Sequence, residues 1–290
     1  MTENLTIPKR IVVATHPKMM EAIKEAEFCA EYFESHGLTT RLGLLDETTL
    51  RQQVRNGDFD ILVAVGGDGT MLRAAHLCAP CGVPILGVNL GRLGFLIQVG
   101  RNEWHEYFDR LLKGDYWIEH RMMLRAEHWR AGEPQGNWQA LNEAVVCRGQ
   151  IIRPVQISAS VDGRLLANYV ADGLIAATPT GSTAYALAAG GPILPPELRN
   201  ILLVPIAPHL SVDRAVVLSE GCTVSIQVLS DGGVVLSVDG QTPVGLDEKD
   251  IVKIQTGDTS ALFVRFGDPD YFYRNVTDRM DQNPISGSFR

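Results

Sequence analysis

The sequence predicts an α/β N-terminal domain on a parallel, Rossmann-like sheet, followed by an all-β C-terminal domain, an antiparallel sandwich with one inserted helix. Three observations predict this. Over the first hundred or so residues, short continuous apolar runs alternate with helical stretches, as strands covered on both faces do in β-α-β units. From about Arg121 the apolar period becomes two, with glycine-containing turn signals between runs. The length of 290 residues, at ~150 per domain, leaves room for two domains.

The elements follow in order. Ile11, Val12, Val13 and Ala14 form the first buried strand. A helix is predicted over 19–35, with Ile23, Ala26, Ala30 and Phe33 on one face and Gly37 where a left-handed terminal residue belongs. A weaker strand over 39–44 precedes Asp46, read as the N-cap of a helix that stops before Gly57. Residues 61–65 are again continuous and apolar and run into Gly66-Gly67-Asp68-Gly69-Thr70; a helix starting near Thr70 and a strand over 84–88 follow. In the second half, 156–161 and 164–169 flank Asp162-Gly163, and 223–228 and 234–238 flank Asp231-Gly232-Gly233; both pairs read as hairpins. Between them, Thr178-Pro179-Thr180-Gly181-Ser182-Thr183-Ala184-Tyr185 opens an Ala-rich helical stretch up to Gly190-Gly191-Pro192. The division drawn is 1–118 for the α/β domain and 119–266 for the β-rich one, with a tail over 267–290 that packs back on the first.

Composition narrows the function. With 26 basic and 34 acidic residues the net charge is −8, which argues against nucleic acid as a partner, because phosphate backbones need clustered Lys and Arg. No apolar run approaches the ~20 residues of a membrane helix. The polar start shows no signal peptide, so a cytoplasmic protein is expected. The five cysteines are odd in number and scattered, so no disulfide framework is expected. Cys78-Ala79-Pro80-Cys81 has redox spacing but closes a helix instead of opening one, where the helix dipole would lower a thiol pKa.

The strongest local feature is the strand followed by Gly67-Asp68-Gly69. Glycines let a phosphate approach the main chain, and the free N–H groups of the next helix face that anion. Asp68 is the odd member: a carboxylate beside a phosphate site needs a task, such as taking a proton from a hydroxyl or orienting Mg²⁺. Otherwise it is a helix N-cap. The loop has neither the G-K-[ST] ending of a Walker motif nor the spaced dinucleotide fingerprint. A second glycine cluster, 89–96, opens with Asn89 and follows the next strand. Asn142-Glu143 interrupts an apolar stretch and, read as strand, points to opposite faces; an amide and a carboxylate there suit ribose hydroxyls, or else cap a strand end. Asp172-Gly173 alone reads as a turn. Arg73, Arg148 and Arg153 are candidates to offset phosphate charge, and singly each reads as a solvated arginine. The four tryptophans, between Trp104 and Trp138, read as core or domain junction.

Taken together, these blocks resemble the NAD kinase family. The blocks are 66–70; 89–96; Asn142-Glu143; and Asp172-Gly173-Leu174-Ile175 with 178–185 and Gly190-Gly191-Pro192. A fifth is Ser237-Val238-Asp239-Gly240-Gln241, and the likeness runs from about residue 10 to 266. The first block is shared with lipid kinases and phosphofructokinases; the fourth is highly specific. The resemblance implies transfer of the γ-phosphoryl group of ATP to the 2′-hydroxyl of the adenosine ribose of NAD, giving NADP and ADP, with the site between the domains. It implies Asp68 as general base, with Gly67 and Gly69 close to the nucleotide. Asn142, Glu143 and Asp172 would hold the dinucleotide, and Thr183, Ala184 and Tyr185 would line the adenine side. Arg73, Asn89, Arg153, Ala188 and Gln241 would be further nucleotide contacts. It also implies Mg²⁺ on the ATP phosphates, ATP or polyphosphate as donor, and a homodimer or homotetramer.

Two positions depart from the family pattern. A serine is common where this chain has Ala188, and a proline usually follows the arginine of Pro208-His209-Leu210-Ser211-Val212-Asp213-Arg214. Two other readings share the glycine-Asp loop. A diacylglycerol-type lipid kinase has no use for Asn142-Glu143 or the 180–185 block, and a non-catalytic nucleotide-binding regulator has little use for Asp68.

Overall fold

The computed structural model describes residues 7–91, 94–149, 153–209, 213–230, 232–269, 272, 273 and 276. Two compact units result, Met1–His120 with Ala261–Arg290, and Arg121–Ser260. Both boundaries fall inside long strands. The tail over 267–290 lies outside the described residues except at 267–269, 272, 273 and 276.

In the first unit the chain runs β1 (Arg10–Thr15), α1 (Met20–Ser35), β2 (Thr39–Leu44), α2 (Thr48–Arg55), β3 (Ile61–Gly66), α3 (Asp68–Cys78), β4 (Ile85–Asn89), β5 (Val99–Gly100), α4 (Trp104–Leu112) and the start of β6 (Trp117–Arg130). Strands β4, β3, β1 and β2 lie side by side in that order, all parallel. The chain moves outward from β1 to β2, then returns to the other side of β1 as β3. The carboxyl ends of β1 and β3 are therefore a topological switch point, where open α/β sheets bind ligands. The loop at Gly67-Asp68-Gly69 leaves from that end of β3.

Apolar side chains of α1 and α4 cover one face of this sheet, with Phe33 stacked on Phe108 at 4.4 Å between ring centres. The buried face of α1 is Ala22, Ala26, Cys29, Ala30 and Phe33. Ile23 is only half-buried, because the helix is rotated to bring Glu25 inward, where Arg101 Nε and Trp104 Nε1 each donate to its carboxylate at 2.8 Å. Two helix starts also differ from expectation. Glu47, not Asp46, is the N-cap of α2, and α3 begins at Asp68 with Gly67 as N-cap, two residues before Thr70.

The second unit holds the rest of β6, then β7 (Glu133–Ala140), β8 (Glu143–Arg148), β9 (Val155–Val161), β10 (Arg164–Ala171), β11 (Gly173–Ala177), α5 (Tyr185–Ala188), β12 (Asn200–Ile206), β13 (Val216–Ser219), β14 (Val224–Val228), β15 (Val234–Val238), β16 (Val244–Leu246) and the start of β17 (Ile251–Arg265). One sheet has the order β13-β12-β11-β8-β15-β16; in the other, β10, β9, β14 and β17 are neighbours. All these pairs are antiparallel. Alternate side chains of both sheets, among them Val146, Ile157, Leu174, Ile226, Leu236 and Ile254, form one core, the arrangement of a sandwich.

The hairpin at Asp162-Gly163 forms, with both residues at positive φ (50° and 76°) as a type I′ turn requires. The second expected hairpin does not. Strand β14 pairs with β9 and β17, whereas β15 pairs with β8 and β16 in the other sheet. The glycine-rich turn there carries the chain between sheets, and its Asp231 lies outside the described residues. The Ala-rich helix is shorter than expected: a 3-10 turn at Gly181–Thr183, then the single α turn of α5. Among the described residues, no helix is long and apolar enough to cross a membrane.

Candidate active site

In the first unit, β3 passes into α3 through Gly67, whose carbonyl accepts the N–H groups of Thr70 (2.8 Å) and Met71 (3.1 Å). Asp68 does not cap its own helix. Its side chain reaches to the loop after β4, accepting the N–H of Phe95 at 2.7 Å and of Leu96 at 3.3 Å. Gly94 makes this possible, since a Cβ there would fall inside the Asp68 carboxylate. At Gly67 and Gly69 a Cβ would meet no protein atom within 4 Å, so packing does not dictate glycine at either. The Leu96 carbonyl is held in turn by Arg265 Nη1 at 3.0 Å, and Arg265 is buried in an ion pair with Glu119 (2.8 Å). Asn89 ends β4, is buried, and accepts the Gly91 N–H on its side chain. Arg73 is exposed on α3. Arg92 and Leu93, within the second glycine cluster, lie outside the described residues.

In the second unit, Asn142 sits in the turn before β8 and only Glu143 belongs to the strand, so the two do not alternate across a sheet. The turn has few ladder partners of its own, and Asp239 supplies them. One carboxylate accepts the N–H groups of Leu141 (2.6 Å), Asn142 (3.0 Å) and Glu143 (2.9 Å). The hydroxyl-rich block is tied to the same turn. Thr178 donates its N–H to the Asn142 carbonyl (2.8 Å) and its hydroxyl to the Leu141 carbonyl, and Gly181 lies so close to Asn142 that a Cβ would overlap that carbonyl. Thr180 accepts from the buried Arg121 at 3.1 Å. Ser182 donates to the Pro179 carbonyl and accepts the Leu194 N–H, and Thr183 donates to the Thr180 carbonyl.

Glu143 is buried, and its Oε2 has no hydrogen-bond partner among the described residues. Burial first, and the Asp239 charge second, push its carboxyl up to about 7 against the opposing pull of the Tyr185 N–H. Asp172 is no simple turn: it stands where β10 leaves one sheet and β11 enters the other. Its carboxylate pairs with Arg148 at 3.0 Å. Arg148 is thus engaged by a protein carboxylate rather than standing as a lone phosphate contact. Tyr185, Ala188, Gln241 and Arg153 are exposed, and Thr183 and Ala184 half-buried. Residues 210–212 of the departing loop lie outside the described residues. The Cys78-Cys81 pair closes α3 as expected. Cys78 is buried, and burial pushes both thiols up, the opposite of a redox pair.

The chain is 38% identical over 272 residues to the NAD kinase of Chloroflexus aggregans, covering 94% of this chain and 98% of that one. The chain belongs to the NAD kinase family. The NAD kinase of Heliobacterium modesticaldum is 42% identical over 234 residues, 80% of this chain and 82% of that one. The family model of the ATP-NAD kinase N-terminal domain matches residues 6–116, and that of the C-terminal domain matches 141–266. An NAD kinase from Archaeoglobus fulgidus, solved in complex with ATP, superposes with a TM-score of 0.75 at 25% identity, covering 93% of this chain and 98% of that one. A yeast NADH kinase solved with NADH shares the fold, with a TM-score of 0.83 at 24% identity over 98% of this chain and 90% of that one. The chain is a phosphotransferase that makes NADP from NAD and ATP. The sequence places Phe95 and Leu96 in the 89–96 block and Asp239 in the 237–241 block, but not what they do: the backbone N–H groups of Phe95 and Leu96 hold Asp68, and Asp239 organises the Asn142-Glu143 turn.

Proposed function

We propose that Asp68 is the general base of NAD phosphorylation, and that Asn142, Glu143 and Asp172 hold the dinucleotide. The observation that carries the first assignment is the fixed Asp68 carboxylate, turned off its own helix and gripped by two N–H groups of the neighbouring loop. Each of its oxygens keeps a lone pair for a substrate hydroxyl. A ribose hydroxyl is a weak nucleophile, so a carboxylate held within hydrogen-bond reach raises the rate by ~10²–10⁴. The 2′-oxygen forms its bond to the γ-phosphorus as the bond to the β-bridging oxygen breaks; the proton passes to Asp68, and ADP leaves. Gly67 and Gly69 let phosphate approach the N-terminus of α3.

Mg²⁺ is the metal we assign. Such an ion keeps several waters and is held mostly by substrate phosphates, so the chain need supply few ligands. Bound with ATP, it would neutralise charge on the β- and γ-phosphates. Thr183, Ala184 and Tyr185 line the adenine side in this reading, with Arg73, Asn89, Arg153, Ala188 and Gln241 as further nucleotide contacts. We also assign a cytoplasmic homodimer or homotetramer.

The test is a coupled assay with a dehydrogenase that accepts only NADP, run with ATP or polyphosphate, with and without Mg²⁺. NADP formation that needs both ATP and Mg²⁺, with a raised KM for NAD in Asn142→Ala and Asp172→Ala, is the expected result. Unchanged KM for NAD in both variants would overturn the dinucleotide assignments.

A further inference from the structure

We propose that Asp239 is a positioning residue for NAD: it holds the Leu141-Asn142-Glu143 backbone in the geometry that presents the Asn142 and Glu143 side chains to the dinucleotide. The proposal rests on the reading of those two side chains as NAD contacts. Three consecutive N–H groups converge on one carboxylate, Leu141 on Oδ2 and Asn142 and Glu143 on Oδ1. Such a trio of N–H groups is ordinarily a concavity for an external anion; here the protein fills it with its own. The grip is reciprocal, because the Asp239 N–H donates to the Glu143 carbonyl at 3.0 Å. Asp239 adopts φ of 46°, an uncommon conformation outside glycine, in the turn after β15. It joins positions almost a hundred residues apart, and β8 takes up regular pairing only from Glu143 onward.

The carboxylate serves the turn with both of its oxygens, at the cost of setting a second negative charge beside the buried Glu143. The groups acting on Glu143 are Asp239, from the turn after β15, and Tyr185, from α5. Asp239 therefore does two things to one NAD contact: it fixes the backbone beneath Glu143, and its charge favours the protonated carboxyl. A ribose hydroxyl donates to the ionised form of Glu143, so burial first and the Asp239 charge second raise the acid limb of NAD affinity.

The test is steady-state kinetics of the full-length enzyme, with NAD varied at saturating ATP from about pH 5.5 to 8.5. Asp239→Ala strips the acceptor from all three N–H groups, and the expected result is a KM for NAD raised ~10-fold or more at the alkaline end, with kcat and KM for ATP within ~2-fold. Asp239→Asn tolerates the same φ and keeps one acceptor oxygen. It should give a smaller rise in KM and move the acid limb of kcat/KM for NAD to lower pH. Glu143→Gln should abolish that limb. Should Asp239→Ala fail to fold, Asp239→Asn alone carries the test through its pH limb. An unchanged KM for NAD and an unmoved limb in Asp239→Asn, while Asn142→Ala raises KM, would overturn the proposal. So would a lowered melting temperature with no kinetic change specific to NAD. If Asn142→Ala and Glu143→Gln leave NAD kinetics untouched, the NAD-contact reading itself has failed, and the proposal falls with it.

Discussion

The Asp68 carboxylate accepts the Phe95 N–H at 2.7 Å, through space that only a glycine at position 94 leaves open. Gly94→Ala must therefore push the carboxylate aside. The expected effect is a fall in kcat of ~10²-fold, the scale of a displacement near 1 Å in a reacting group. Calorimetric NAD binding should change little. A variant with normal kcat would show that the Asp68 position is not critical.

Glu143 links site and stability. Its folded-state carboxyl titrates at about 7, against 4.5 as the ordinary value. The raised value means that ionisation opposes the fold: no penalty exists below pH 4.5, and it grows as pH rises through about 7. Glu143→Gln should thus be more stable than wild type at pH ~8, by up to ~3 kcal/mol, and indistinguishable near pH ~4. Urea unfolding at the two pH values measures this, and an equal difference at both would refute it.

Asp250 works in the opposite direction. Burial pushes its carboxyl up, but hydrogen bonds from Arg130, the Asp247 N–H and His128 outweigh it and hold the group at about 2. Its stabilisation is present above 3.8 and is lost as pH falls through about 2. Asp250→Asn should lower unfolding free energy at neutral pH by ~3 kcal/mol, because His128 and Arg130 lose a buried partner. Chemical denaturation checks it; a loss under ~0.5 kcal/mol would mean the network is dispensable.

The cysteines at the end of α3 should be inert. With both thiols pushed up by burial, iodoacetamide at neutral pH should leave Cys78 and Cys81 unmodified in the native enzyme. Cys78 should label only after unfolding. Mass spectrometry of the labelled peptides decides it, and fast native labelling of either would reopen a redox role.

Local sequence carried far where the signal is itself local. Continuous apolar runs marked β1, β3 and β4 because strands covered on both faces need them, and Gly67-Asp68-Gly69 announced the loop at the carboxyl end of β3. It failed where the cause is tertiary. The turn between β14 and β15 looks like a hairpin because alternation is the same whether two strands pair or face each other across a core. Asn142 leaves the strand because Asp239, Thr178 and Gly181 hold its backbone from distant positions. Asp239 itself resembles Asp162: both precede glycine at positive φ, yet Asp162 gives one oxygen to a single N–H, that of Thr223. The local turn pattern does not separate the two; only the 237–241 block's resemblance singles out Asp239.

The role of Asp68 is decided by turnover and NAD binding of Asp68→Asn, with ATP and Mg²⁺ present and NADP detected by a specific dehydrogenase. A general base at this position gives a loss of kcat by ~10²–10⁴ with NAD affinity nearly intact. Near-normal kcat in Asp68→Asn would contradict it and leave the carboxylate as a scaffold for the Phe95 loop.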